Sequence, residues 1–279
     1  MSGTVGKAQS ATGAILLVGC GKMGGAMLEG WLERGSAGRF VVVEPSGAAA
    51  FADRPGVEVH REAVNLDLDL RPDVVVVAVK PQTMDEAIRH YGRFVAPQTV
   101  FLSIAAGKTL GYFARNLGPE AAIVRAMPNT PAAIGRGITV ACPNPRVSPD
   151  QIALCDRLLA AVGEVGWVDD EGLIDAVTAV SGSGPAYVFL LVECMAAAGA
   201  KLGLPPDLAL KLARATVEGA GELMFREPAT EASTLRRNVT SPGGTTAAAL
   251  EVLMAQDGLA LLMERALAAA ARRAGELSG

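Results

Sequence analysis

The hexapeptide Gly19-Cys20-Gly21-Lys22-Met23-Gly24 follows directly on an apolar run, Ile15-Leu16-Leu17-Val18, and opens a helix-period segment carrying Met27, Leu28, Trp31 and Leu32. In that context each glycine has a mechanical task. Gly19 allows a tight turn, Gly21 a close approach of backbone to a pyrophosphate, and Gly24 the packing of helix on strand. The helix start then offers amide donors and the positive end of its dipole, which is the chemistry of a dinucleotide site. Glu44 ends the next apolar run, about 25 residues after Gly19, where a carboxylate can take ribose hydroxyls and repel a 2′-phosphate. No Arg or Lys lies between Pro45 and Phe51, which favours NADH, while Arg54 leaves NADPH open.

Two further segments place glycine, proline and hydroxyl residues inside otherwise helical stretches, where Gly and Pro are costly. In Ser181-Gly182-Ser183-Gly184-Pro185-Ala186-Tyr187, Pro185 suits a first helical turn and the serines can cap it. Val239-Thr240-Ser241-Pro242-Gly243-Gly244-Thr245-Thr246 runs straight into the apolar segment Ala247–Met254. That arrangement presents amides and hydroxyls at a helix start, a site suited to a carboxylate or, equally, a simple cap. The histidines, His60 beside Arg61 and His90 beside Tyr91, read as surface residues rather than as a tuned base.

The elements that must position these residues change character along the chain. Short β-branched runs alternate with helical periods from Ala14 to Ile104: Ile15–Val18, Phe40–Val43, Val74–Val79 and Val100–Ile104. Continuous apolar runs of this kind suit parallel strands covered by helices on both faces. Further strands are expected at Ile123–Met127 and Gly137–Ala141. From Leu173 to Ala274 the sequence reads as helix, broken at Gly203–Pro206 and Thr240–Gly244. The expected fold is an α/β N-terminal Rossmann-type doubly wound sheet followed by an all-α C-terminal dimerisation domain. Its divisions are a flexible tail at 1–12, a dinucleotide-binding domain at 13–170 and a helical domain at 171–279. The Ala- and Leu-rich helices lack charge enough to solvate every outer face, so they call for a second copy.

Half of the 279 residues are apolar, which excludes a disordered chain. With 25 Lys and Arg against 29 Asp and Glu, the net charge of −4 gives no nucleic-acid footprint. The Ser181–Pro185 interruption is expected to keep the most apolar stretch, Ala176–Val192, short of a membrane span. Four cysteines without a CxxC pair point to no metal centre and to reduced thiols in a cytoplasm.

Taken together, Gly19-x-Gly21-x-Met23-Gly24, Val79-Lys80-Pro81-Gln82, Ser103-Ile104-Ala105-Ala106-Gly107, Arg125-Ala126-Met127-Pro128-Asn129-Thr130-Pro131, the Ser181–Tyr187 segment and Ser241–Thr246 stand in the order and spacing of the pyrroline-5-carboxylate reductases. The chain resembles that family over essentially all residues after 13. The resemblance implies NADPH- or NADH-dependent reduction of 1-pyrroline-5-carboxylate to L-proline by a homodimer or higher homo-oligomer. By position it implies cofactor contacts at Gly19, Cys20, Gly21, Lys22, Met23, Gly24, Glu44, Asn65, Ala78, Val79, Lys80, Pro81, Ala105 and Ala106. Substrate contacts fall at Glu171, Asn238, Ser241, Gly244, Thr245 and Thr246, with the Thr246 hydroxyl placed to act on the ring N–H. Arg237 departs from the acid common in the family at that position. An imine suits this residue set, because once protonated it is already electrophilic and the enzyme's task is chiefly positioning. A 3-hydroxyacid dehydrogenase of similar plan would carry a lysine on the long helix, and Ser183–Ala200 has none.

Overall fold

A computed structural model describes residues 12–278. The expected tail lies outside the described residues except for Thr12, which opens the first strand. The strands are β1 (Thr12–Val18), β2 (Ala37–Val43), β3 (Val57–His60), β4 (Val74–Val77), β5 (Val100–Ser103), β6 (Ala122–Met127), β7 (Gly137–Pro143) and β8 (Gly163–Trp167). They form one sheet in the order β3-β2-β1-β4-β5-β6-β7-β8. Only β6 and β7 pair antiparallel; the other neighbours run parallel. After β1 the chain builds outward through β2 and β3, then crosses back to place β4 on the other side of β1. The loops leaving β1 and β4 therefore diverge, and a crevice opens at the carboxyl ends of those strands.

The sheet is buried on both faces because its central strands are apolar at odd and even positions alike. Ile15, Leu17, Phe40, Val42, Val74, Val76, Val100 and Leu102 enter one core. Leu16, Val18, Val41, Val43, Val75, Val77 and Phe101 enter the other. The first core is closed by α1 (Lys22–Arg34) and by a later helix, Pro149–Leu159, which Ser148 and Gln151 start with a capping box. Trp31 of α1 is fully buried, stacks on Phe40 with ring centroids 6.4 Å apart, and donates its indole N–H to the Leu158 carbonyl at 2.8 Å. The second core is covered by residues around α2 (Met84–Ala87) and α3 (Leu110–Leu117), through Met84, Ile88, Phe113 and Leu117.

Strands β3 and β8 carry no apolar run in the sequence. They form the two edges of the sheet, where one flank is unpaired, and their side chains stay partly exposed. That is why Val57-Glu58-Val59-His60 alternates instead of running apolar.

With Pro149–Leu159 as α4, α5 (Leu173–Val177) leads into a π-helical turn at Thr178–Gly182. The chain divides into two compact units: the first runs to Gly182 and regains the residues from Arg272 onward; the second is Ser183–Ala271. The division thus falls beyond 171, where residue character changes. The intervening residues stay with the first unit because Ile174 and Ala179 are buried there and Asn129 donates to the Ser181 carbonyl at 3.2 Å. The π turn also absorbs the Gly-Ser interruption, so Leu173–Lys201 is, by length and composition, long and apolar enough to cross a membrane, contrary to the expectation from Ser181–Pro185.

The second unit holds α6 (Gly184–Lys201), α7 (Pro206–Arg226), α8 (Ala232–Asn238), α9 (Thr245–Leu253) and the greater part of α10 (Leu259–Ser278). Beyond the two expected breaks, the helices also part at 227–231, where Pro228 lacks an N–H, and at 254–258, where a turn ends on Gly258. Within this unit only Ala209 and Ala213 are buried among the described residues, while Phe189, Leu190, Val252, Met254 and Leu262 face outward.

Candidate active site

At the carboxyl ends of β1, β2 and β4 the first unit contains a cleft of about 760 Å³. Gly19, Cys20 and Gly21 form one wall, Glu44 and Ser46 another, and Ala78, Val79 and Lys80 a third. Gly19 has φ +90°, and a Cβ there would stand 2.8 Å from the Ala78 carbonyl oxygen. Any other residue would be strained and would collide with β4's exit. A Cβ on Gly24 would strike the Gly19 carbonyl, so α1 can begin only with the helix pressed against its own turn. Gly21 differs: a Cβ there would meet nothing within 4 Å. The open face of Gly21 is therefore a cradle into which a ligand's backbone-hugging group can descend. As the N-cap of α1, Gly21 supplies no side-chain cap, and no acid lies in the first turn around Lys22, Met23 and Gly24. Those first-turn amides fit a pyrophosphate.

Glu44 is turned inward. One carboxylate oxygen accepts from the Cys20 N–H at 2.7 Å; the other accepts from the Ser46 hydroxyl at 2.7 Å and the Ser46 N–H at 3.2 Å. Burial works to raise its pKa, but those three hydrogen bonds outweigh burial and hold the carboxyl below its ordinary range. Burial, and then the Glu44 charge, push the Cys20 thiol up to about 11, so it is a neutral, unreactive part of the turn.

The loop after β5 carries Ala105, buried, and Ala106, exposed. It is pinned at its far end: Lys108 bonds Asp85 at 3.0 Å and lies over the Tyr112 ring at 4.2 Å, while Tyr112 donates its hydroxyl to Asp85 at 2.5 Å. Tyr112, then Lys108, lower the Asp85 carboxyl below its usual range. Ala105 and Ala106 lie at the end of the strand beside β4 and outside the cleft wall proper. Pro81 begins the turn that follows Lys80, and Asn65 is exposed just past Ala63 and Val64, which do line the cleft.

Strand β3 adds residues that no motif marks. Arg61 and Glu62 follow it and line the cleft, as does His90 after α2, which reads in the sequence as a surface histidine. The alternating pattern of Val57–His60 was the signal available for the first two. Arg54, by contrast, lies outside the wall and bonds Glu29 at 3.2 Å.

In the second unit, Ser241–Thr246 makes a turn closed by the Gly244 N–H on the Ser241 carbonyl at 3.0 Å, with Gly243 at φ +68°. Gly244 is the N-cap of α9, which has neither a capping side chain nor an acid in its first turn, and Thr245 and Thr246 bring hydroxyls to that turn. Asn238 closes α8 and is exposed. Arg237 folds back along α8 to the hydroxyls of Ser233 and Thr234. Glu171 lies in the first unit, where its Oε1 accepts from Arg125 at 2.8 Å and from the Leu110 N–H at 2.7 Å. There it pairs with the buried Arg125 guanidinium.

Residues 171–277 match the family model described as pyrroline-5-carboxylate reductase dimerisation, and residues 14–107 match NADP oxidoreductase coenzyme F420-dependent. The chain is 40% identical over 273 residues to the pyrroline-5-carboxylate reductase of Pseudomonas aeruginosa, covering 96% of this chain and 97% of that one. Its structure is similar to that of a pyrroline-5-carboxylate reductase from Coxiella burnetii, with TM-score 0.88, 35% identity and coverage of 96% and 99%. It is also similar to the Plasmodium falciparum pyrroline carboxylate reductase with NADP bound, with TM-score 0.79, 26% identity and coverage of 98% and 100%.

Proposed function

The chain belongs to the pyrroline-5-carboxylate reductase family, which carries out the NAD(P)H-dependent reduction of 1-pyrroline-5-carboxylate to L-proline, and we propose how its residues divide that work. When bound, the reduced nicotinamide supplies a hydride to the C=N carbon. The glycine turn and the first-turn amides of α1 hold the pyrophosphate, with Gly21 leaving the space. Lys80, Ala105 and Ala106 border the nicotinamide end, and Asn65 the adenosine ribose.

The start of α9 holds the substrate. Amides at Gly244, Thr245 and Thr246, with the Ser241 and Thr245 hydroxyls, receive the ring carboxylate, and Asn238 flanks them. The Thr246 hydroxyl accepts a hydrogen bond from the protonated ring nitrogen and so orients the imine carbon. The ring nitrogen keeps its proton, and its positive charge is cancelled as the new C–H bond forms, so no side chain of tuned pKa is required. One observation carries this division: α1 and α9 each start on a glycine with no capping side chain and no first-turn acid, which leaves amide donors for an anion.

The dimerisation match and the outward apolar faces of the second unit support a homodimer or a higher homo-oligomer. The balance of 25 Lys and Arg against 29 Asp and Glu supports a partner other than nucleic acid, and the four free cysteines support a cytoplasmic location. The direct test is loss of reduced-nicotinamide absorbance with the cyclic imine against open-chain keto acids. Turnover should be far faster with the ring acid; equal or faster turnover of a keto acid would overturn the reading.

A further inference from the structure

We propose that Arg61, at the end of the edge strand β3, reads the 2′-phosphate of NADPH, and that Glu44 serves as a clamp on the glycine turn and not as the ribose reader. The proposal rests on the NAD(P)H reading of this cleft and assigns its phosphate specificity. Its starting point is the juxtaposition of β3 with β2. The Glu44 N–H donates to the His60 carbonyl at 2.9 Å, so the residues that follow the two strands emerge side by side. Arg61 then lies over the β2 turn: a Cβ built on Gly47 would be 3.7 Å from its Nη2 and 3.9 Å from its Nε. Gly47 turns at φ +76°, a conformation that suits glycine, and the guanidinium lies within van der Waals reach of that turn. Arg61, Glu44 and Ser46 all line the one cleft.

Charge and hydrogen-bond supply decide between the candidates. Both Glu44 oxygens already accept protein donors, three bonds in all, so the carboxylate faces the α1 turn with much of its capacity spent. A phosphate arriving at the end of β2 would still meet the negative charges of Glu44 and Glu62, and needs a cation to offset them. Arg54 is bound to Glu29 and is not part of the wall. Lys80 lines the cleft from the end of β4, on the far side of β1 from β2. Arg61 remains. Among the described residues it makes no ion pair or side-chain hydrogen bond, and its planar fork of N–H donors matches a phosphate bidentately.

The experiment uses the full chain and two probes that differ only in the phosphate in question, adenosine 2′,5′-bisphosphate and adenosine 5′-monophosphate, titrated by calorimetry. Wild type should bind the bisphosphate more tightly. Arg61→Ala should weaken the bisphosphate by about 10- to 100-fold while the monophosphate stays as in wild type, and Arg61→Lys should recover part of the loss. Steady-state kinetics should show the same split, with KM for NADPH raised and both kcat and the KM for NADH retained. Arg54→Ala should match wild type throughout. Unchanged bisphosphate affinity in Arg61→Ala, an equal loss of both probes, or the selective loss appearing in Arg54→Ala would each overturn the assignment. Failure of wild type to reduce the cyclic imine would overturn the functional reading without bearing on these binding ratios.

Discussion

The two units of this chain are built from similar apolar residues and use them in opposite ways. In the first, Val, Leu and Ile at successive strand positions enter two separate cores, and Trp31, Met27 and Phe113 are fully enclosed. In the second, Phe189 is 62% exposed, Leu262 60% and Val252 72%, and the buried residues are two alanines. Each large side chain taken out of water contributes about 1.5–3 kcal/mol, so the first unit collects its stabilisation within one chain and the second has yet to collect it. The match of residues 171–277 to a dimerisation model points to a second copy as the source of the missing surface. Apolar content therefore says how much surface must be buried, and says nothing of whose atoms bury it.

The contrast is broken most forcefully by putting a charge on the outward face. Phe189→Asp should abolish the assembled state and activity, because an unpaired charge in an apolar interface costs several kcal/mol, while nucleotide binding by the first unit persists. Sedimentation velocity with a nucleotide titration checks both halves; an unaltered assembly would refute the contrast.

The next effect sharpens it. Trp31→Ala should cost about 3–5 kcal/mol, and the cost should not depend on protein concentration, since the cavity lies inside one chain. Leu262→Ala should instead give a loss that grows on dilution. Denaturant unfolding at two protein concentrations separates the two.

A smaller change concerns chemistry. Thr246→Val should raise the substrate KM and lower kcat by about 1–3 kcal/mol of combined transition-state stabilisation, leaving nucleotide affinity intact. Weakened nucleotide binding would assign the α9 start to the cofactor instead.

The smallest is Glu44→Gln. The Glu44 carboxyl is held below its ordinary range, so its contribution to stability is complete above that range and fades as pH falls through the lowered value. The Tm gap between wild type and variant should be widest near neutrality and close in acid. A gap constant across the pH sweep would locate the effect in shape, not charge.

Much of the first unit was legible in the sequence because its strands are buried on both faces and therefore read as unbroken apolar runs. The edge strands were not, since half-solvated strands keep charged residues such as Glu58 and Glu164. The same blind spot hid Arg61, which belongs to the cleft only because β3 pairs with β2. Glu44 was visible as an acid at a strand end, but the inward turn of its carboxylate depends on Cys20 and Ser46 meeting it in space. The pairing of Glu171 was hidden for a like reason: its position beside a helix start says nothing of the buried Arg125 that meets it in space.

The last turn of α10 belongs to the first unit. Ser278 accepts from Arg125 at 3.4 Å and donates to Asp175 at 3.5 Å, and a Cβ on Gly107 would stand 2.9 Å from the Leu277 carbonyl oxygen. The loop after β5 is thus shaped against residues near the chain's far end. A ribosome that has finished the last strand at Trp167 has still not delivered Leu277 and Ser278, so the loop after β5 gains this support only after the helices of the second unit have been made.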